Sequence, residues 1–259
     1  MVRHTPLCSS FGAEIHGIDL ARITAPQFQW LYAVWKRHHV VLLRGQQLTG
    51  DAFERFAARL GELESTANAA SGAEWQATGA HLDQPSFAQV MHAPGQPASP
   101  GVWFASLPAA LRSMPAELGS RLRRLAMRHA GRLAMAEPIA FRHVANDGPV
   151  QVTGSVHPVV IVQPETGEPT LFLGSRRYSW FAGLAPDESE RLLNIVWSYA
   201  TAPAVTLHHA WQAGDLLLWN NLTTMHRHEP PAAGGAQRLQ LAQVRGRYTL
   251  TSPIQQEAA

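Results

Sequence analysis

Apolar residues return at helical spacing in two N-terminal stretches. Phe28, Leu31, Val34 and Trp35 fall on one face behind Thr24, a suitable N-cap, and Pro26, which fits a first turn. Phe53, Phe56, Ala57 and Leu60 repeat the pattern behind Thr49, and further helices are predicted from Pro108 to Met127 and from Pro186 to about Tyr199. Short apolar runs mark strands between them: Val40 to Leu43, Val156 to Val162, Thr170 to Leu173, Val205 to His209, Asp215 to Trp219 and Leu239 to Val244. The stretch from His92 to Pro100 is too rich in proline and glycine for regular structure, which predicts a loop or lid insertion over about residues 84 to 102, placed to gate a site. Strands in two groups with helices between them predict a mainly β fold with flanking helices, a double-stranded β-helix or jelly roll. No repeat or linker divides residues 1 to 259, so a single domain is expected.

Composition narrows the classes of function. A chain of 259 residues with 46% hydrophobic content can bury a sizeable core. A formal charge of +2 leaves no basic field for nucleic acid. The cluster Arg121, Arg123, Arg124, Arg128 and Arg132 has the spacing of an exposed helix face. The single cysteine, Cys8, excludes an internal disulfide framework and suits a reducing cytoplasm. No apolar run reaches the roughly 20 residues of a membrane span, and the N-terminus lacks a signal-peptide pattern. These features predict a cytoplasmic protein with no nucleic-acid or membrane partner, able to act alone or as a homo-oligomer.

The chemistry is carried by His81-Leu82-Asp83 and by Gly214-Asp215-Leu216-Leu217-Leu218-Trp219-Asn220-Asn221 running into His226. Two imidazoles and a carboxylate are what one face of an octahedral non-haem iron(II) needs, with the opposite face open to substrate and oxygen. Written on a strand, His81 and Asp83 would point to the same side, and His226 would join them from a second strand. The same residues also read as a solvated turn over Gly79 to Pro85, so context decides between the two. His228 is an alternative ligand if the register slips. His38, His39, His157, His208 and His209 read as structural.

The context resembles one family. Phe11 to Leu20 ahead of a helix, Val40 to Gln46, Ala57 to Leu63, His157-Pro158-Val159-Val160, Pro164 to Gly167, Leu171 to Leu173 and the helix from Pro186 together resemble the taurine dioxygenase (TauD/TfdA) family of iron(II)/2-oxoglutarate-dependent dioxygenases. The resemblance covers roughly residues 4 to 70, 77 to 107 and 155 to 247. It implies a clavaminate synthase-like jelly roll, Fe(II) held by His81, Asp83 and His226, 2-oxoglutarate as cosubstrate, and O2 and a small molecule as partners.

The chain also departs from that family. The resemblance implies an arginine on the last core strand for the far carboxylate of 2-oxoglutarate, helped by a threonine hydroxyl. Matching Gln237 to Arg247 from either end puts Ala242 or Leu241 in the arginine's place, and Gly101 stands where the threonine is expected. Arg238, Arg245 and Arg247 are the candidate replacements, since a guanidinium meets a carboxylate bidentately. Asn220 and Leu222 replace an acid and a base of the family's Trp-Asp-Asn-Arg pattern, and no histidine follows Glu62-Leu63. Ala77 and Ala80 replace pocket residues ahead of the H-x-D, so taurine is not the expected substrate. Trp75, Phe87, Trp103, Arg176 and Asn221 are the candidate substrate-pocket residues. The expected activity is 2-oxoglutarate-dependent hydroxylation or oxidation of another small molecule. The alternatives are an iron(II)/O2 oxidase that dispenses with 2-oxoglutarate, and a non-catalytic ligand-binding relative.

Overall fold

The computed structural model describes residues 1–64, 73–95, 101–130, 154–230 and 239–257. In chain order, β1 (Arg3–Pro6) and β2 (Ala13–His16) lead to α1 (Ala25–His38), β3 (Val40–Leu43), α2 (Gly50–Ala58) and the short β4 (Leu63–Glu64). Next come β5 (Ala88–His92), β6 (Gly101–Ser106), α3 (Leu107–Ser113), α4 (Ala116–Leu122) and β7 (Ala126–His129). The remainder holds β8 (Val156–Pro158), β9 (Val160–Val162), β10 (Pro169–Leu171), β11 (Ser179–Phe181), α5 (Pro186–Ala200), β12 (Thr206–Ala210), β13 (Leu216–Asn220), β14 (Thr224–His228), β15 (Gln240–Val244) and α6 (Pro253–Glu257).

A seven-stranded sheet in the order β1-β2-β3-β13-β5-β15-β4 faces a three-stranded sheet, β12-β6-β14, and two small sheets, β10-β9 and β11-β7-β8, complete the fold. Val40, Leu42, Leu217, Trp219 and Met91 of the large sheet meet Val102 and Phe104 of the smaller one, with the Phe104 and Trp219 rings edge to face at 5.3 Å. The opposite face of the large sheet carries Val41, Leu43, Leu216, Leu218, Val90 and Ala242, which pack under Leu31, Trp35, Phe53 and Phe56 of α1 and α2. Both faces of β3 and β13 are therefore covered, which is why they read as continuous apolar runs rather than as alternation. The outer face of the smaller sheet, with Ala105 and Met225, packs on Leu107, Leu193 and Val196 of α3 and α5.

The helix starts follow the sequence. Thr24 accepts from the Gln27 N–H while the Gln27 side chain returns to the Thr24 N–H, closing a capping box, and Thr49 caps α2 through the Ala52 N–H. Three expectations are corrected. The predicted helix 108–127 is two short helices and a strand: Pro115 cannot donate into a helix and holds Met114 extended at ψ 151°. Arg128 accordingly lies on β7, where it donates to the Gly154 carbonyl, and Arg121 pairs with Glu188, so the arginine cluster is not one helix face; Arg132 lies outside the described residues. The predicted loop over 84–102 contains β5, every residue of it buried, in the middle of the large sheet. The single strand expected from Val156 to Val162 is β8 and β9, which belong to different sheets because Pro158 interrupts the ladder.

Candidate metal centre

β14 runs antiparallel to β6, with His226 opposite Phe104 on the side facing the large sheet. The other flank of His226 is paired as well: its backbone N–H and C=O bond to Gln76 at 3.0 Å each, which lays the chain ahead of His81 alongside β14. Asn221, directly after β13, then fixes that chain. Its Nδ2 donates to the Thr78 carbonyl at 2.7 Å and the Ser86 carbonyl at 2.8 Å, and its Oδ1 accepts from the Thr78 N–H at 2.8 Å. Between these two anchors the chain turns over, carrying His81 and Asp83.

The structure therefore corrects the expectation that His81-Leu82-Asp83 lies on a strand. Gly79 is left-handed at φ +70°, where a Cβ would stand 2.8 Å from Ser86 Oγ, and the Leu82 N–H bonds back to the Gly79 carbonyl. Local turn bonds thus take the backbone groups that a ladder would have used. The turn is held further by the His157 ring, 2.9 Å from the Leu82 carbonyl, by Ser155 N–H on the His81 carbonyl, and by the Ser155 hydroxyl donating to Asp83 Oδ1. His157 is thus structural, as expected, and its task is to brace the turn.

The candidate donors differ in setting. His226 is buried, and burial, with His228 beside it, holds its pKa well below the usual 6.5. Its Nδ1 is buried with no hydrogen-bond partner. His81 lies on the exposed turn with its pKa lowered by burial of the ring, against the opposing pull of Glu64. Both imidazoles are neutral near pH 7, the state in which a lone pair can bind a metal. In kind and protonation the set suits iron(II). In position it is incomplete: among the described residues no three His, Cys, Asp or Glu side chains stand together closely enough to share an ion. His228, on the same face of β14, is 5.2 Å ring to ring from His226, with burial pushing its pKa down to about 4.

One residue near the turn was not singled out from sequence. His129 at the end of β7 is buried, bonded through Nδ1 to Ser179 Oγ at 3.0 Å and 5.7 Å ring to ring from His157. Burial drives its pKa down to about 3 and leaves its Nε2 without a partner. Its position had been read as just beyond a helix end, and nothing in the sequence marks it.

The candidate cosubstrate residues do not converge. Arg245 pairs with Glu62 at 3.1 Å at the exposed edge. Arg247 pairs with Glu165 at 2.9 Å, lies 4.5 Å over the Phe87 ring and joins Tyr32 and Tyr248 around the same carboxylate. Arg238 lies outside the described residues. Of the two positions standing in for the family arginine, Ala242 faces the helix-covered core, whereas Leu241 packs on the inter-sheet side. Gly101 opens β6, and a Cβ there would come within 2.4 Å of His208 Nε2 and 2.6 Å of the His209 carbonyl, so the threonine's volume is already taken.

The candidate pocket residues are dispersed too. Phe87 is fully buried in the helix-side core, edge to face with Trp35 at 5.5 Å. Trp75 and Trp103 sandwich the Arg227 guanidinium at 5.1 and 5.2 Å, on the face of β14 opposite to His226. Arg176 is tied to Glu190 and Asn194 on the surface. Asn221 is buried and clamps the turn instead of lining a pocket. On the face of the large sheet that looks toward His226 the structure places instead a row, Trp219, Gln89, Gln243 and Glu64, with Trp219 5.1 Å ring to ring from His226.

The family model described as taurine catabolism dioxygenase TauD, TfdA family, matches residues 3–244, and the chain belongs to that family of iron-dependent dioxygenases. It is similar to (S)-phenoxypropionate/alpha-ketoglutarate-dioxygenase of Sphingobium herbicidovorans, 28% identical over 255 residues, covering 87% of this chain and 88% of the relative. It is also similar to pentalenolactone F synthase of Streptomyces arenae, at 27% identity over 83% of this chain and 85% of the relative. Among solved structures, a taurine dioxygenase from Burkholderia xenovorans superposes with a TM-score of 0.81 at 26% identity, covering 98% and 92% of the two chains. The jelly-roll fold read from the sequence is the fold observed.

Proposed function

We propose that the protein is an iron(II)- and 2-oxoglutarate-dependent dioxygenase that hydroxylates or otherwise oxidises a small molecule other than taurine, with His81, Asp83 and His226 as the metal ligands. The observation that carries this reading is His226: a neutral, buried imidazole with an unsatisfied nitrogen, on the inner face of a jelly roll, beside a turn that displays an H-x-D. Bound iron would supply oxygen activation. The chain's own residues do the rest. Asn221 and His157 hold the turn, burial keeps His226 deprotonated, and the Phe104 and Trp219 rings exclude water from its side. Drawing His81 and Asp83 onto a metal shared with His226 would require the turn to shift inward as the ion binds. Arg238 is the remaining candidate for the far carboxylate of 2-oxoglutarate, since Arg245 and Arg247 are engaged elsewhere.

Iron analysis on purified protein should give one iron per chain, lost in His226→Ala and in His81→Ala; full metal content in both variants would refute the assignment. Anaerobic titration with 2-oxoglutarate should produce a saturable visible charge-transfer band, weakened by Arg238→Ala. A second reading, an iron(II)/O2 oxidase that uses no 2-oxoglutarate, is favoured by the interior position of Leu241 and the filled space at Gly101. It predicts bound iron and no such band.

A further inference from the structure

The row Glu64, Gln243, Gln89, Trp219 crosses four neighbouring strands in register, on the face of the large sheet that looks toward His226. Its hydrogen bonds have one direction. The Gln243 Nε2 group donates to the Glu64 carboxylate and, at 2.7 Å, to Ser86 Oγ; the Gln89 Nε2 group donates to Gln243 Oε1 at 3.3 Å. A carboxylate accepts only, so Glu64 compels Gln243 to turn its amino group outward and its carbonyl inward, and Gln243 in turn compels the same of Gln89. The row therefore ends in a carbonyl oxygen, Gln89 Oε1. That oxygen is buried without a partner, on a residue only 3% exposed. Its neighbour in the row, Trp219, likewise has a buried indole N–H with no partner. An acceptor and a donor thus stand unsatisfied on adjacent strands, the donor's ring 5.1 Å from that of His226, and buried polar groups of native proteins rarely go unsatisfied.

Charge points the same way. Among the described residues Arg245 is engaged with Glu62, Arg247 with Glu165, and Arg227 between two tryptophans on the other face of β14. A carboxylate or sulfonate laid against Gln89 Oε1 would set oxygen against oxygen with none of these three guanidiniums free to compensate, and the anionic end of the row makes that acceptor stronger still.

We infer that Gln89 Oε1 and Trp219 Nε1 form a substrate-recognition pair, and that the substrate offers them a neutral group that both donates and accepts, a hydroxyl or a primary carboxamide, in place of an acid. This deepens the proposed function and rests on it for the placing of the active site at His226. The phenoxypropionate relative is named for an acid, so the matched probes are 2-phenoxypropionate and 2-phenoxypropionamide. Their binding to the full chain is measured by calorimetry, anaerobically, with and without Fe(II). The amide should bind about tenfold tighter than the acid, the scale of one satisfied buried hydrogen bond. Gln89→Met should abolish that preference, and Glu64→Gln, which frees the row to reverse, should reduce it while leaving the packing intact. Comparing each variant with the parent in the same metal state cancels any direct chelation of iron by the acid. Equal or tighter binding of the acid by the parent, no binding of the amide, or an unchanged preference in Gln89→Met would overturn the inference. Iron content on the same samples reports separately on the proposed function: a protein that takes up no iron yet prefers the amide would sink the iron reading and spare this one.

Discussion

Asn221 uses both ends of its carboxamide on the two backbone segments that flank the H-x-D turn, and only an amide can accept from one N–H while donating to two carbonyls. Replacing it by leucine, similar in shape, leaves three backbone groups without partners and should cost about 3 kcal/mol of stability. Iron retention should fall with it, because the turn would no longer be held against β14. Urea unfolding and metal analysis check both; a variant as stable and as iron-rich as the parent would remove the clamp from the account. Sequence showed Asn221 as a residue near the site but not its task, since its partners Thr78 and Ser86 are far away in the chain. The H-x-D itself was legible as residues and not as conformation: Gly79 and Pro85 had already offered the turn, and the turn is what forms.

β5 shows why an element can be missed. Its sequence, Ala-Gln-Val-Met-His, carries two polar residues in five and sits beside a proline-rich stretch, so local signals oppose a buried strand. The polar pair is admissible because Gln89 finds Gln243, and His92 finds Gln240 at 2.8 Å and the Gln46 carbonyl at 3.1 Å. Those partners are tertiary, and no local pattern reports them. β3, apolar throughout, and β13, apolar from Leu216 to Trp219, were legible because their signal is their own. At β6 the same reasoning gives a prediction about the lost threonine. Gly101→Thr should not restore 2-oxoglutarate affinity, because its Cβ would collide with the His208 ring and the His209 carbonyl at the edge of the middle strand. A melting temperature several degrees lower, with no gain in the cosubstrate titration, is the expected result. Tighter 2-oxoglutarate binding in that variant would show that the space can be opened.

At the scale of the molecule, the fold class and the family's order of segments were legible together, since the apolar runs and the capped helices are local signals repeated along most of the chain. Titration is a property of the whole, because several histidines are buried by elements distant in sequence. His39 has its pKa pushed down to about 4 by burial, with Arg112 and His38 adding to the effect, although Glu168 lies 3.6 Å away and is shared with Arg112. His129 is held at about 3. Both are depressed in the folded chain, so as pH falls through 6.5 the unfolded chain takes up protons first and stability drops, continuing to fall until the folded values are reached. His39 alone should account for about 3 kcal/mol between pH 6.5 and 4. Urea midpoints across that interval should decline steadily and recover in part in His39→Gln; a flat profile would mean these rings are not buried as described.

β5 also has a temporal side. Both of its partners, β13 and β15, are made near the end of the chain, and among the described residues β4 pairs only with β15. A nascent chain that has emerged as far as β12 therefore holds Ala88–His92 with both hydrogen-bonding edges open and its apolar side chains uncovered. Such a segment readily pairs with the wrong neighbour. The large sheet cannot close until synthesis is nearly complete, so the yield of active protein should depend on how long the ribosome takes over those last strands, and on what shields the waiting edge meanwhile.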